Sequence, residues 1–133
     1  MSELTVKADI KELDRVLAFV DGALESVNCS MKVQMQIDVA VEEIFVNIAS
    51  YAYPDGIGEA KIAVYAESDK VMITFEDCGI KYDPLQNEDP DITLSANERP
   101  IGGLGVYMVK KTMDSVSYEY KENKNRLTII KNL

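Results

Sequence analysis

The 133-residue sequence contains no histidine, and this absence limits its chemistry. Without histidine there can be no Ser-His-Asp or Cys-His catalysis, no histidine-ligated metal centre and no phosphohistidine intermediate. The two cysteines, Cys29 and Cys78, lie far apart without metal-ligand spacing, so neither a disulfide framework nor a zinc site is predicted. Any chemistry must therefore use carboxylates, amides, hydroxyls, lysine or arginine.

Positive charge and long apolar runs are also scarce. There are 14 basic and 23 acidic residues, and the net charge of -9 opposes binding to nucleic acid. No stretch approaches the roughly 18 apolar residues of a membrane span, and the first residues do not resemble a signal peptide. We expect a soluble, cytoplasmic protein whose partners include neither nucleic acid nor membrane.

The spacing of apolar residues predicts one α/β (α+β) domain over residues 1–133. Asp9, with Glu12 in capping-box position, predicts the start of one helix, and Ser30 predicts the start of a longer one. A charged turn is predicted at 121–125, between the last two strands. The predicted strands are 4–8, 59–67, 71–75, 116–120 and 127–130; the predicted helices run from Asp9 to about Val27, from Ser30 to Tyr53, and from the glycines near 103 onward.

Glycine is rare, yet three of the seven glycines, Gly102, Gly103 and Gly105, stand with Leu104 at the start of an apolar helix. The first amides of a helix lack internal partners and attract anions, and glycine lets a phosphate approach the backbone closely. A polar, proline-rich stretch without periodicity precedes them, and we predict a lid at about 85–101. An ordinary glycine-rich loop is the competing interpretation.

Two further patterns place polar side chains where a ligand could use them. Glu43 and Asn47 lie four residues apart, on one side of the second predicted helix, where a carboxylate could accept a proton and an amide oxygen could bind Mg²⁺. Asp77 and Gly79 stand at the end of a predicted strand. There a carboxylate could accept a hydrogen bond from the amine of adenine, and a glycine leaves room for the base. Taken separately, each pattern also has a non-functional interpretation. Glu43 and Asn47 could be ordinary exposed helix residues, and Asp77 and Gly79 could form an ordinary turn.

In this order, the three patterns resemble the GHKL superfamily of ATP-binding domains. From about Leu4 onward the chain looks most like the anti-sigma-factor serine kinases of bacterial stress and sporulation switches. The resemblance implies the Bergerat fold, a two-layer sandwich with a mixed, mostly antiparallel sheet and helices on one face. It also implies ATP and Mg²⁺ as cofactors, with the 85–101 segment as an ATP lid. The implied roles are general base for Glu43 and Mg²⁺ ligand for Asn47. Asp77 and Gly79 would form the adenine site, with Gly79 as a close-packing glycine. The phosphate loop would consist of Gly102, Gly103, Leu104 and Gly105.

The chain also departs from the family pattern. Tyr51 stands where the family often has a histidine, and Lys124-Asn125-Arg126 replaces a Gly-Thr pair common before the last strand. The second departure predicts that one contact supporting Asp77 is lost. Arg99, beside the glycines, is the basic residue best placed to reach a γ-phosphate.

Two functions follow from the resemblance. In the first, Glu43 removes a proton from a serine or threonine of a small anti-sigma antagonist (STAS-like) protein, which receives the γ-phosphoryl group of ATP. A sigma factor would be the competing ligand, and a homodimer the expected state. In the second, the chain is a nucleotide-gated interaction protein with little or no phosphate transfer.

Overall fold

The computed structural model describes residues 1–86 and 103–133 as a sheet with helices packed on one face. Each neighbouring pair of strands is antiparallel, in the order β1-β2-β3-β5-β4, which confirms the two-layer α+β fold. No helix in the described ranges is long and apolar enough to cross a membrane. The strands are β1 (Ser2–Lys7), β2 (Glu59–Ala66), β3 (Lys70–Asp77), β4 (Ser115–Lys121) and β5 (Lys124–Asn132); the helices are α1 (Leu13–Glu25), α2 (Met31–Tyr51) and α3 (Gly103–Thr112).

The start of α1 differs from the prediction. The Asp9 carboxylate accepts a hydrogen bond from the Lys11 amide at 3.0 Å, as a cap should, but the residues it caps form a 3-10 turn, Ile10–Glu12. The predicted capping box does not form, because the Asp9 amide donates to the Lys7 carbonyl at 2.8 Å instead. The chain turns tightly out of β1, so the regular α-helix begins only at Leu13.

The helix α2 begins as predicted and ends slightly earlier. The Ser30 hydroxyl caps it by accepting the Val33 amide at 3.2 Å, and the helix ends at Tyr51 rather than Tyr53. Its buried face packs with α1 against the inner face of the sheet and forms one hydrophobic core. The largest fully buried side chains of that core are Phe45, Phe75, Leu24, Ile37, Ile62, Ile73 and Ile129.

The predicted turn at 121–125 joins the last two strands but is shorter than predicted. The turn between β4 and β5 consists only of Glu122 and Asn123, which have φ values of 56° and 63°. Two consecutive residues with positive φ form the tight hairpin turn whose twist matches the flanking strands. Lys124 and Asn125 therefore belong to β5, and Asn125 pairs directly with Asp77 of β3.

Candidate functional site

A cavity of about 640 Å³ lies between the helical layer and the sheet. Its walls come from the second half of α2, the ends of β3 and β5, the middle of β4, α3, and the segment after β3. Most of the lining is apolar, and a few polar side chains converge on it: Glu43, Asn47, Asp77, Tyr118 and Asn125. This size and this composition are typical of a small-molecule site.

Glu43 and Asn47 line the cavity together, as their spacing on α2 predicts. Both side chains are half-buried, and the Asn47 amide is hydrogen-bonded to the Glu43 carboxylate. A carboxylate can only accept, so the Asn47 amide nitrogen donates and its oxygen remains available for another partner. The pair therefore combines a proton acceptor with an amide oxygen suited to a hard cation.

The environment of Glu43 raises its pKa. Burial is the largest cause and the charge of neighbouring Glu42 adds to it, while the hydrogen bond from Asn47 opposes both. A carboxylate with a raised pKa binds a proton more readily than an exposed one. This property suits a general base that works near neutral pH.

The start of α3 lies so close to Glu43 that a side chain at Gly105 would force the Glu43 carboxyl group to move. A Cβ atom at Gly105 would overlap the Glu43 carboxyl group. Gly103 and Leu104 form the first turn of the same helix, whose free amides point toward its N-terminal end. Arg99, Gly102 and the predicted lid beyond residue 86 lie outside the described residues.

Asp77 is buried at the end of β3, with 6% of its surface exposed. Its Oδ1 atom accepts two hydrogen bonds, from the Gly79 amide at 2.9 Å and from the Asn125 amide nitrogen at 3.0 Å. Burial raises the pKa of Asp77, and those two hydrogen bonds oppose the rise. The side chain also lines the cavity, where it can present an acceptor to a ligand.

Gly79 packs closely against the backbone, as the family resemblance implies, and this is a different reason from room for a base. A Cβ atom there would overlap the backbone carbonyl of Ala52, just after α2, rather than fill the space of a base. The next residue, Ile80, donates its amide to the same carbonyl at 2.9 Å. Gly79 therefore lets the segment after β3 pack against the end of α2.

Tyr53 supports the same junction, and sequence reasoning missed it. Its hydroxyl donates a hydrogen bond to the Glu59 carbonyl at 2.6 Å and accepts one from the Cys78 amide at 2.8 Å. The residue thus ties the ends of α2, β2 and β3 together. The sequence carries only a weak signal for this role, because a tyrosine next to Pro54 also fits the end of a helix.

The expected loss of a contact to Asp77 is wrong, because Asn125 supplies one. Asn125 is buried, with 7% of its surface exposed, and its amide nitrogen also donates to the Ile80 carbonyl at 2.8 Å. Its Oδ1 atom accepts a hydrogen bond from the Tyr82 amide at 3.1 Å and another from the Tyr118 hydroxyl. Asn125 therefore connects three parts of the cavity wall. Tyr51, which replaces the family histidine, is exposed at the cavity rim.

The cavity lining has acidic groups but no cationic side chain among the described residues. Nor do the described residues contain three or more acidic, cysteine or histidine side chains grouped as a metal site. A polyanionic ligand would therefore need cations that it brings with it, or backbone amides such as those at the start of α3. Nucleotide triphosphates carry Mg²⁺ in this way, since Mg²⁺ is usually held by one or two protein oxygens and by phosphates.

Comparison with known proteins identifies the family of the chain. The profile of the Histidine kinase-like ATPase domain family matches residues 6–131, so the chain belongs to that family. Membership in an ATPase domain family implies that the chain binds ATP. The solved structure of the Acinetobacter baumannii histidine kinase AdeS shares the fold, with a TM-score of 0.51 and 17% identity over 99% of this chain and 68% of that one.

Two curated relatives are named as protein kinases. The chain is 26% identical to the serine/threonine-protein kinase BtrW of Bordetella bronchiseptica over 75% of this chain and 71% of that protein. It is 28% identical to the serine-protein kinase RsbW of Bacillus cereus over 63% of this chain. The match spans only 55% of RsbW, just over half of that protein.

Proposed function

We propose that the chain is an ATP-dependent serine/threonine protein kinase that phosphorylates a small anti-sigma antagonist protein and thereby regulates a sigma factor. The observation that carries the proposal is the position of Glu43, held between the Asn47 amide and the first turn of α3, on the same cavity as Asp77. A carboxylate next to the first turns of a helix supports this proposal, because helix N-termini bind phosphates and a carboxylate can accept a proton. The names of the relatives support the same activity.

In the proposed complex, Asp77 accepts the 6-amino group of adenine, and the apolar lining covers the faces of the base. The triphosphate extends toward the N-terminal end of α3, where Gly103, Leu104 and Gly105 offer backbone amides. The residues present fit Mg²⁺, because the Asn47 nitrogen is occupied by Glu43 and its oxygen is left for the cation. Bound Mg²⁺ would neutralise charge on the phosphates.

Phosphoryl transfer then requires a proton acceptor for the attacking hydroxyl. Glu43 takes the proton of a serine or threonine hydroxyl, whose oxygen forms a bond to the γ-phosphorus as the bond between that phosphorus and the bridging oxygen breaks. ADP is the leaving group. The raised pKa of Glu43 brings its basicity closer to what proton abstraction requires near neutral pH.

The partners follow from the resemblance rather than from the cavity. A STAS-like anti-sigma antagonist would supply the hydroxyl, a sigma factor would compete for the same protein, and the active form would be a homodimer. Genes adjacent to the one encoding this chain would name the candidates for these roles.

Nucleotide binding is tested by calorimetry with ATP and Mg²⁺ on the purified chain. Replacing Asp77 with asparagine removes an acceptor and adds a donor facing the adenine amine, so ATP affinity should fall at least about tenfold. Asp69, in the exposed turn between β2 and β3, provides the matched control Asp69→Asn. The ATP site is wrong if the wild-type chain binds no ATP, or if Asp77→Asn binds it as the wild type does.

Catalysis is tested by transfer of labelled phosphate from ATP to the purified antagonist. Glu43→Gln should lower the transfer rate by about 100-fold or more, because general-base catalysis contributes roughly that factor. The control Glu42→Gln changes the adjacent, exposed carboxylate and should stay within about threefold of the wild type, since it removes only a modest electrostatic effect. Transfer at the normal rate by Glu43→Gln would rule out the proposed base.

One observation favours the nucleotide-gated alternative. The described lining has no lysine or arginine to stabilise a transferring phosphoryl group, and such cationic groups contribute strongly in other kinases. If the chain only senses nucleotide, its affinity for the antagonist should differ between ATP and ADP while no phosphate is transferred. Equal affinity in the two nucleotides would exclude this alternative.

A further inference from the structure

The hydrogen bonds of Asn125 fix its amide in one orientation. The Tyr82 backbone amide can only donate, so the atom facing it at 3.1 Å must be the Asn125 oxygen. On the other side, the Asp77 carboxylate and the Ile80 carbonyl can only accept an amide hydrogen, at 3.0 Å and 2.8 Å. A flipped amide would set oxygen against oxygen at two places and N–H against N–H at a third. The side chain is therefore locked as a donor toward Asp77.

We propose that Asn125 is a positioning residue that makes the cavity selective for 6-amino purines over 6-oxo purines. This inference rests on the proposed ATP site. Asn125 acts through Asp77: its amide nitrogen donates to the Asp77 carboxylate, orients it and favours its ionised form, in which it presents an acceptor to the base.

The selectivity follows from the hydrogen bonds that the neighbours of Asp77 can form with it. Both donors to Asp77 Oδ1, the Gly79 amide and the Asn125 amide nitrogen, are N–H groups. Hydrogen bonds donated to a carboxylate favour its charged form over the neutral acid. An ionised Asp77 favours the amine of adenine and repels the carbonyl oxygen at C6 of a 6-oxo purine.

Asn125 also fixes the wall beside the base. Ile80 and Tyr82 line the cavity, and Asn125 binds the carbonyl of one and the amide of the other. The Tyr118 hydroxyl, on the neighbouring strand β4, donates to the same Asn125 oxygen. A single side chain therefore contacts both the acceptor, Asp77, and the neighbouring part of the cavity wall. Loss of that side chain should change which base fits, in addition to how tightly any nucleotide binds.

The test compares the affinities of ATP and inosine triphosphate, with Mg²⁺, by calorimetry on the full chain. Asn125→Asp is nearly isosteric and keeps an oxygen for Tyr82, but it places a second carboxyl group beside Asp77, and the two must share a proton. Its ratio of ATP to inosine triphosphate affinity should fall at least about tenfold relative to the wild type, the range expected when one buried hydrogen bond changes partner. Asn132→Asp makes the same change at the exposed end of β5 and should leave the ratio unchanged.

The outcomes separate this inference from the proposed function. If the wild-type chain binds neither nucleotide, the ATP site fails and the inference fails with it. If the wild type prefers ATP and a cooperatively melting Asn125→Asp keeps the same ratio, Asn125 has no role in selectivity and the ATP site stands. Should Asn125→Asp not fold, Asn125→Ala decides in the same way: a folded alanine variant with an unchanged ratio overturns the inference. A purely structural role would weaken both nucleotides equally.

Discussion

Replacing Asp38 with asparagine should stabilise the protein at neutral and alkaline pH. Asp38 on α2 faces Asp21 on α1, and each buries one carboxyl oxygen that has no hydrogen-bond partner among the described residues. Burial, followed by the hydrogen bond and the charge of Asp21, raises the pKa of Asp38 to about 7. The Cys29 thiol lies close enough for Asp38 to add to the rise in its pKa that burial causes. These contacts place an unfavourable negative charge between the two helices.

The sign of the pH dependence follows from the direction of that shift. In the unfolded chain, Asp38 ionises near the ordinary value of about 3.9, whereas in the folded protein it holds its proton up to about 7. Between these values the folded state binds more protons, so the contribution of Asp38 to stability decreases as the pH rises from about 4 to about 7. The full difference corresponds to about 4 kcal/mol. Solvent screens these partly exposed carboxyls, so we expect a cost of about 1–2 kcal/mol above pH 7.

Urea denaturation at pH 5 and pH 8 measures this cost. The amide introduced by Asp38→Asn would donate to the Asp21 carboxylate without carrying charge, so this variant should gain about 1–2 kcal/mol at pH 8 and much less at pH 5. Asp14→Asn removes an exposed carboxylate from the first turn of α1, and it should change stability by less than about 0.5 kcal/mol at either pH. The reasoning is refuted if the gain from Asp38→Asn is absent at pH 8 or is equal at the two pH values.

Two glycine substitutions test close packing around the cavity. Gly105→Ala should lower phosphate transfer at least about tenfold, because the added methyl group displaces the Glu43 carboxylate from its position; Gly22→Ala, in open space within α1, should instead stabilise the fold by about 0.5–1 kcal/mol and leave transfer intact. Gly79→Ala should destabilise the protein by about 1–3 kcal/mol in thermal melts, because its methyl group would overlap the Ala52 carbonyl. Normal transfer by the first variant, or a melt of the last that equals the wild type, would contradict the packing described.

Much of the fold could be predicted because its signals are local. The buried positions of α1 and α2 recur at helical spacing, and β2 and β3 alternate apolar and polar residues, so burial on one face determines both patterns. The start of α1 was less predictable, because the competition between a capping box and a tight turn depends on where β1 ends. The turn at Glu122 and Asn123 was missed because a run of charged residues carries no periodicity to show where β5 begins.

The residues of the candidate site also differ in how far the sequence could predict them. Glu43, Asn47 and Asp77 stand in short motifs that can be recognised within a few residues, and the structure brings all three to one cavity. Asn125 lies 48 residues from Asp77, and its role depends on the register of β3 against β5. No local pattern distinguishes a buried asparagine in a charged segment from a turn residue. The network therefore became visible only when the strands were paired.

The carboxyl groups of Asp77, Glu43 and Asp38 are all partly withdrawn from water, and they differ in the number of N–H donors that each one meets. Asp77 receives two, which oppose the effect of its burial and favour the ionised form needed to accept a hydrogen bond from a base. Glu43 receives one, from Asn47, and its pKa remains raised, as suits a group that must take up a proton. Asp38 faces another carboxyl group, and its burial is a cost to stability. Adding a donor should therefore have opposite consequences at two of these positions: it relieves the cost at Asp38, but at Glu43 it would lower the basicity on which the proposed transfer depends.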